Sequence, residues 1–129
     1  RRAPLGGGGG GGAASLAVLI FLARSPNAAA KWSAARGLMV LAWHADSRAA
    51  LVQVNAVPAL VALVGDAEAA GGEEGRRAAE LCCRALCYLS LDPAHRPRVA
   101  LAPGRPVAAL GRALDILGGG EAAPGAMAG

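Results

Sequence analysis

The sequence predicts an all-α fold. Apolar residues recur at three- and four-residue spacing in segment after segment, and nothing in the chain reads as a strand. Leucine, valine and alanine supply nearly all of the apolar surface, and Phe21, Trp32, Trp43 and Tyr88 are the only aromatic residues. Such a core suits closely packed helices better than a β-sandwich, whose strands favour β-branched and aromatic side chains.

Each element follows from local signals. Ser15 is placed to cap a helix through Leu16, Leu19, Ile20 and Leu22, and Ser25-Pro26-Asn27 ends it with turn chemistry. From Ala28 to His44 a longer helix carries Ala34, Ala35, Leu38, Leu41 and Ala42 on one face. Asp46 or Ser47 then caps a short helix with Ala50, Leu51 and Val54. Asn55 accepts the left-handed conformation that closes a helix, and Pro58 suits the first turn of the next, which runs through Leu60, Val61, Leu63 and Val64. Residues Gly65 to Gly75 lack apolar periodicity and contain Gly71-Gly72 beside Glu73 and Glu74, which predicts an exposed loop. Helix resumes near Arg76 and runs to Ser90 with Ala79, Cys82, Cys83, Leu86 and Leu89 on one face, and Asp92-Pro93 stops it. A short helix carries Val99 and Leu101, Pro103-Gly104 breaks it, and a last helix runs from about Pro106 to Leu117.

Composition sets limits on function. Gly6 to Gly12 is an unbroken glycine run and the last dozen residues are mostly Gly, Ala and Pro, so residues 1–14 and 118–129 are expected to be disordered and 15–117 to fold. Without Arg1, Arg2 and Glu121 the folding part holds eleven basic and eight acidic residues, a net charge of +3. With arginine nearly the only basic residue, and neither a lysine cluster nor interleaved aromatics, this balance argues against nucleic acid. Cys82, Cys83 and Cys87 lie within six positions of one helix; they read as buried thiols of a reducing compartment, with no second ligand pair to complete a metal site. The apolar run from Ala13 to Ala23 is about half of what a bilayer needs, and Arg24 interrupts where a signal cleavage site would sit. Neither a membrane span nor a secretory leader is expected, and the location expected is cytoplasmic or nuclear.

The chain repeats itself. Laying Leu19-Ile20-Phe21-Leu22 on Leu60-Val61-Ala62-Leu63 gives an offset of 60 − 19 = 41, and laying Ala34 to Ala42 on Cys82 to Ser90 gives 82 − 34 = 48. The difference of seven falls within the 65–75 segment, and the offset of 48 also carries Arg48 onto Arg96. Residues Asp46 to Val64, with Asn55 and Pro58 at the junction, resemble the first two helices of an armadillo repeat, and Ala34 to Ala42 resembles the third. Tandem helical hairpins of the HEAT class share the apolar faces but not that junction. The resemblance implies a right-handed armadillo-type α-solenoid of about two and a half repeats: a partial first at 15–45, a second at 46–91 with a 65–75 loop insertion, and a partial third at 92–117. Because stacked repeats complete one another's cores, it also implies further repeats or another domain in a longer chain.

Function is read from the same resemblance. In armadillo arrays the third helices line a concave groove, where the best-known peptide-binding members place a Trp and an Asn four residues apart. Those positions fall on Arg36 and Val40, and on Arg84 and Tyr88, so the usual ladder is missing and a repeated arginine stands in its place. An arginine fork holds carboxylate or phosphate in two parallel hydrogen bonds, which points to an acidic or phosphorylated partner segment; the alternative is that both arginines are plain solvent-facing positions. Trp43 follows the apolar face and is expected in the core or between repeats. The expectation is a protein-binding scaffold or adaptor with no catalytic residue, cofactor or metal. The alternative, from similarity to the repeat region of plant U-box proteins, is the substrate-recognition part of a ubiquitin ligase whose U-box lies outside this chain. His44 and Asp46 are neighbours but lack a nucleophile, and the glycine run lacks the Gly-Lys-Ser/Thr ending of a phosphate loop.

Overall fold

The computed structural model describes the backbone of residues 8–128 and the side chains of 15–118. Among the described residues it contains seven helices packed together and no strand. In chain order they are α1 (Gly8–Ala23), α2 (Ala28–Trp43), α3 (Ala45–Gln53), α4 (Ala56–Ala70), α5 (Gly72–Leu89), α6 (Arg96–Ala100) and α7 (Pro106–Ala128), with a 3-10 turn at Pro93–His95 before α6. Residues 1–7 and 129, part of the expected disordered ends, lie outside the described residues. Helical backbone is assigned from Gly8 and through Ala128, beyond the 15–117 boundaries expected for the folding part.

Local chemistry accounts for the breaks. Asn27 holds extended dihedrals and its side chain accepts from the Ala30 amide at 2.9 Å, capping α2. Asn55, at φ 65°, takes the left-handed conformation between α3 and α4 and lets the two helices meet at 86°. Pro58 sits in the first turn of α4, where no amide donor is needed. Ser15, expected as a cap, is inside α1, and α3 is capped at His44 with Asp46 in its first turn.

The predicted 65–75 loop is corrected. Helix α4 continues to Ala70 and α5 begins at Gly72, so the connection shrinks to Gly71 and Gly72 at φ 66° and 59°. Asp66-Ala67-Glu68-Ala69-Ala70 is alanine-rich and helix-compatible, and Ala67 is fully buried, which carries the helix past the point where the apolar pattern thins. Gly75 then permits a close crossing: a Cβ there would stand 2.5 Å from the Ala67 carbonyl oxygen.

Packing is ordered along the chain. Helix α2 lies against α1 on one side and α5 on the other, α4 pairs with α5, and α7 covers both α4 and α5. Leu38, Leu51, Leu60, Leu63, Val64, Cys82 and Leu89 fill the core, where truncating one leucine costs about 2–5 kcal/mol. Two arginines lock successive long helices to the short helices that follow. Arg48, only 7% exposed, donates from Nε to the Ala42 carbonyl at 2.7 Å and from Nη2 to the Trp43 carbonyl at 3.0 Å, and pairs with Asp92 at 3.4 Å. Arg96 donates from Nε to the Ser90 carbonyl at 2.8 Å and from Nη2 to the Leu91 carbonyl at 3.3 Å. The last carbonyls of a helix have no donor of their own, and a guanidinium satisfies two at once.

Candidate protein-binding groove

Helices α2 and α5 pack side by side, and their outward faces carry the four positions singled out in the sequence. Arg36 is exposed, and no ion pair or side-chain hydrogen bond engages it among the described residues. Val40 is 44% exposed, which is unusual for valine in the middle of a packed helix. Tyr88 is half-buried. Arg84 is exposed but tied to Glu80 one turn earlier at 2.7 Å, so the two arginines are chemically unequal: Arg36 offers its whole fork, Arg84 a shared one.

Beside Arg36 the two helices part into a cleft of about 340 Å³, lined by Trp32 and Arg36 from α2 and by Glu73, Glu74, Arg77 and Leu81 from α5. Trp32 Nε1 donates to the Glu74 carboxylate, and the Lys31 ammonium lies 5.3 Å from the indole centroid while pairing with Asp66 at 3.4 Å. The indole is thereby fixed from two directions. Glu73 is held by Arg77 at 3.3 Å and Arg76 at 3.7 Å. Both carboxylates of the cleft are thus engaged, whereas Arg36 is not, so the available chemistry is a guanidinium beside a rigid apolar wall.

Trp43 requires a correction. Expected in the core or between repeats, it is 62% exposed and stacks at a tilt on His44, with ring centroids 5.8 Å apart. The buried line of α2 runs through Ala34, Leu38 and Ala42 at four-residue steps, and Trp43 lies one residue, or 100° of helix, beyond it. Its spacing from Arg36 and Val40, seven and three residues, sets it on their stripe instead. Residues 36, 40 and 43 therefore form one exposed strip with an arginine at one end and an indole at the other.

The thiols also differ from expectation. Cys82 is buried, but Cys83 is half-buried and Cys87 is exposed. Burial, reinforced by Asp66, pushes the Cys82 thiol up to about 12, and burial together with the Cys87 neighbour raises Cys83. Among the described residues no three His, Cys, Asp or Glu side chains converge as metal ligands, and His44 makes no ion pair with Asp46. No single helix there is long and apolar enough to cross a membrane.

The contact between Trp32 and Glu74 spans 42 residues and left no trace in local pattern, whereas the exposure of Trp43 was readable from its offset to the Leu38–Ala42 line. No protein-family model, curated protein or solved structure matches the chain.

Proposed function

We propose that the chain is a segment of an armadillo-type α-solenoid that binds a partner protein along the outward faces of α2 and α5. The observation that carries this reading is the recurrence of one arginine device. Arg48 and Arg96 stand 96 − 48 = 48 residues apart, the offset that also relates α2 to α5; Arg48 bridges the last two carbonyls of α2, and Arg96 bridges the two that directly follow α5, those of the Ser90 cap and Leu91. Repetition of a hydrogen-bonding pattern, beyond repetition of apolar spacing, supports a tandem unit of short, medium and long helices. The side-by-side contact of α2 with α5, and of α4 with α7, is the neighbour-to-neighbour packing a solenoid needs.

The strip on α2 and the adjoining cleft suit an extended segment with a carboxylate or phosphate for Arg36 and an apolar side chain for Trp32, Leu81 or Trp43. Affinity capture with the whole chain, quantified against Arg36→Glu combined with Arg84→Glu, tests this. At least one captured protein should fall ten-fold or more in the variant, and an unchanged set refutes the groove.

A further inference from the structure

A second concave surface lies away from the groove, where the α3–α4 corner meets the α6–α7 corner. It encloses about 320 Å³, at the small end of the range of roughly 300–1,000 Å³ over which proteins hold ligands, and its walls include Val52, Val57, Pro58, Pro97, Leu101 and Pro103. Each of the three prolines has its φ fixed by its ring, which limits how far these walls can rearrange when something binds. The turn after α6 is clamped as well. Gly104 holds φ 99°, and a Cβ there would stand 3.0 Å from Val61 Cγ1, so the turn is pressed on α4 in a form that only glycine accepts. The next residue, Arg105, holds φ 60°, a conformation that disfavours a long side chain. Leu101, at the start of this turn, is 84% exposed, and Val107, just after it in α7, is 70% exposed.

The charge at this corner has one sign. Arg98 lines the cavity and Arg105 flanks the neighbouring hollow, no acidic residue lines either, and neither arginine has an ion pair or side-chain hydrogen bond among the described residues. We infer that this corner is a second docking surface, which takes a protein segment carrying one large apolar side chain with carboxylates beside it. The apolar side chain enters the cavity over Leu101, and the carboxylates meet Arg98 and Arg105. An acidic membrane suits it less, because anionic leaflets are recognised by clusters of about four to eight basic residues, and a concave wall meets a projecting side chain better than a plane of headgroups.

The test is selection from a peptide-phage library on the whole chain, followed by fluorescence anisotropy with the enriched peptides. The expected motif is Leu, Ile, Phe or Trp within two positions of Asp or Glu. Its affinity should weaken ten-fold or more in Arg98→Glu combined with Arg105→Gly, glycine being chosen because it accepts the φ of Arg105, and likewise in Leu101→Ser. Arg36→Glu should change it less than two-fold, which separates this surface from the groove. A circular-dichroism melt matching wild type checks that the variants fold. Enrichment without acidic bias, dependence on Arg36 alone, or no enrichment overturns the proposal. So does Leu101-dependent co-sedimentation with phosphatidylserine vesicles, or self-association abolished by Leu101→Ser, when no acidic peptide binds.

Discussion

Replacing Arg48 with methionine isolates the energetic weight of the junction between α2 and α3. Methionine keeps most of the aliphatic stem but removes the fork that satisfies the Ala42 and Trp43 carbonyls at 2.7 and 3.0 Å and reaches Asp92 at 3.4 Å. A hydrogen bond from a charged donor contributes about 1.5–3 kcal/mol, and a buried acceptor left without a partner costs about 1–3 kcal/mol. Since the guanidinium is almost wholly buried, water cannot replace it cheaply, and a loss of about 3–5 kcal/mol is expected. Arg96→Met is the internal control. It removes an equivalent pair of bonds, but from an exposed side chain whose acceptors rehydrate, so about 0.5–1.5 kcal/mol is expected. Arg48→Lys, which keeps the charge without the planar fork, should recover less than half of the loss. Urea unfolding followed by far-ultraviolet circular dichroism reads these values directly, provided the slope with denaturant stays constant. Equal losses for Arg48→Met and Arg96→Met would refute the assignment of the difference to burial.

Gly75→Ala should destabilise by more than about 1 kcal/mol, because its Cβ meets the Ala67 carbonyl at 2.5 Å, whereas Gly65→Ala, with open space around it, should be neutral or gain up to about 1 kcal/mol in the same unfolding assay. Timed alkylation of the folded chain with iodoacetamide should modify Cys87 first, Cys83 more slowly and Cys82 only on unfolding; an early doubly alkylated peptide spanning Cys82 and Cys83, or an early label that fragmentation places on Cys82, contradicts the burial. The Cys82 thiol ionises near 9.0 when unfolded but near 12 when folded, so the unfolded chain releases its proton first: stability is intact below pH 9.0, falls as pH rises towards 12, and that fall should be smaller in Cys82→Ala. In the groove, Arg36→Ala should weaken capture of an acidic partner several-fold more than Arg84→Ala, since Glu80 already occupies part of the Arg84 fork; the reverse order in a binding titration would contradict the asymmetry.

What the sequence conveyed depended on how local the physics was. The Asn55 turn and the first-turn Pro58 need only their own dihedral preferences, and both stand where those preferences place them. The α4–α5 connection was misread because Gly71-Gly72 and the two glutamates that follow look like an open loop, although two glycines in the left-handed region suffice for the reversal. Whether the flanking residues stay helical is decided by burial of Ala67 and close passage over Gly75, which are tertiary contacts. Trp43 was placed with the apolar face that it follows along the helix, although it stands 100° beyond the buried Ala34–Leu38–Ala42 line. The Trp32–Glu74 contact depends on two helices meeting, and no local spacing encodes it.

Two pairs of arginines recur at the same 48-residue interval, and they show why recurrence alone does not identify a binding site. Arg48 and Arg96 each stand behind a helix end with unsatisfied carbonyls, and their donors are consumed there. Arg36 and Arg84 stand mid-helix, where every backbone carbonyl already has its acceptor role, so their donors face outward. One of that second pair is then partly neutralised by a carboxylate a turn away. Arg36 alone combines exposure, freedom from an internal acceptor and a fixed indole at its side. If a partner is recognised through charge along this face, the energy difference between right and wrong partners concentrates at Arg36, because it is the one position of the four where binding displaces only water.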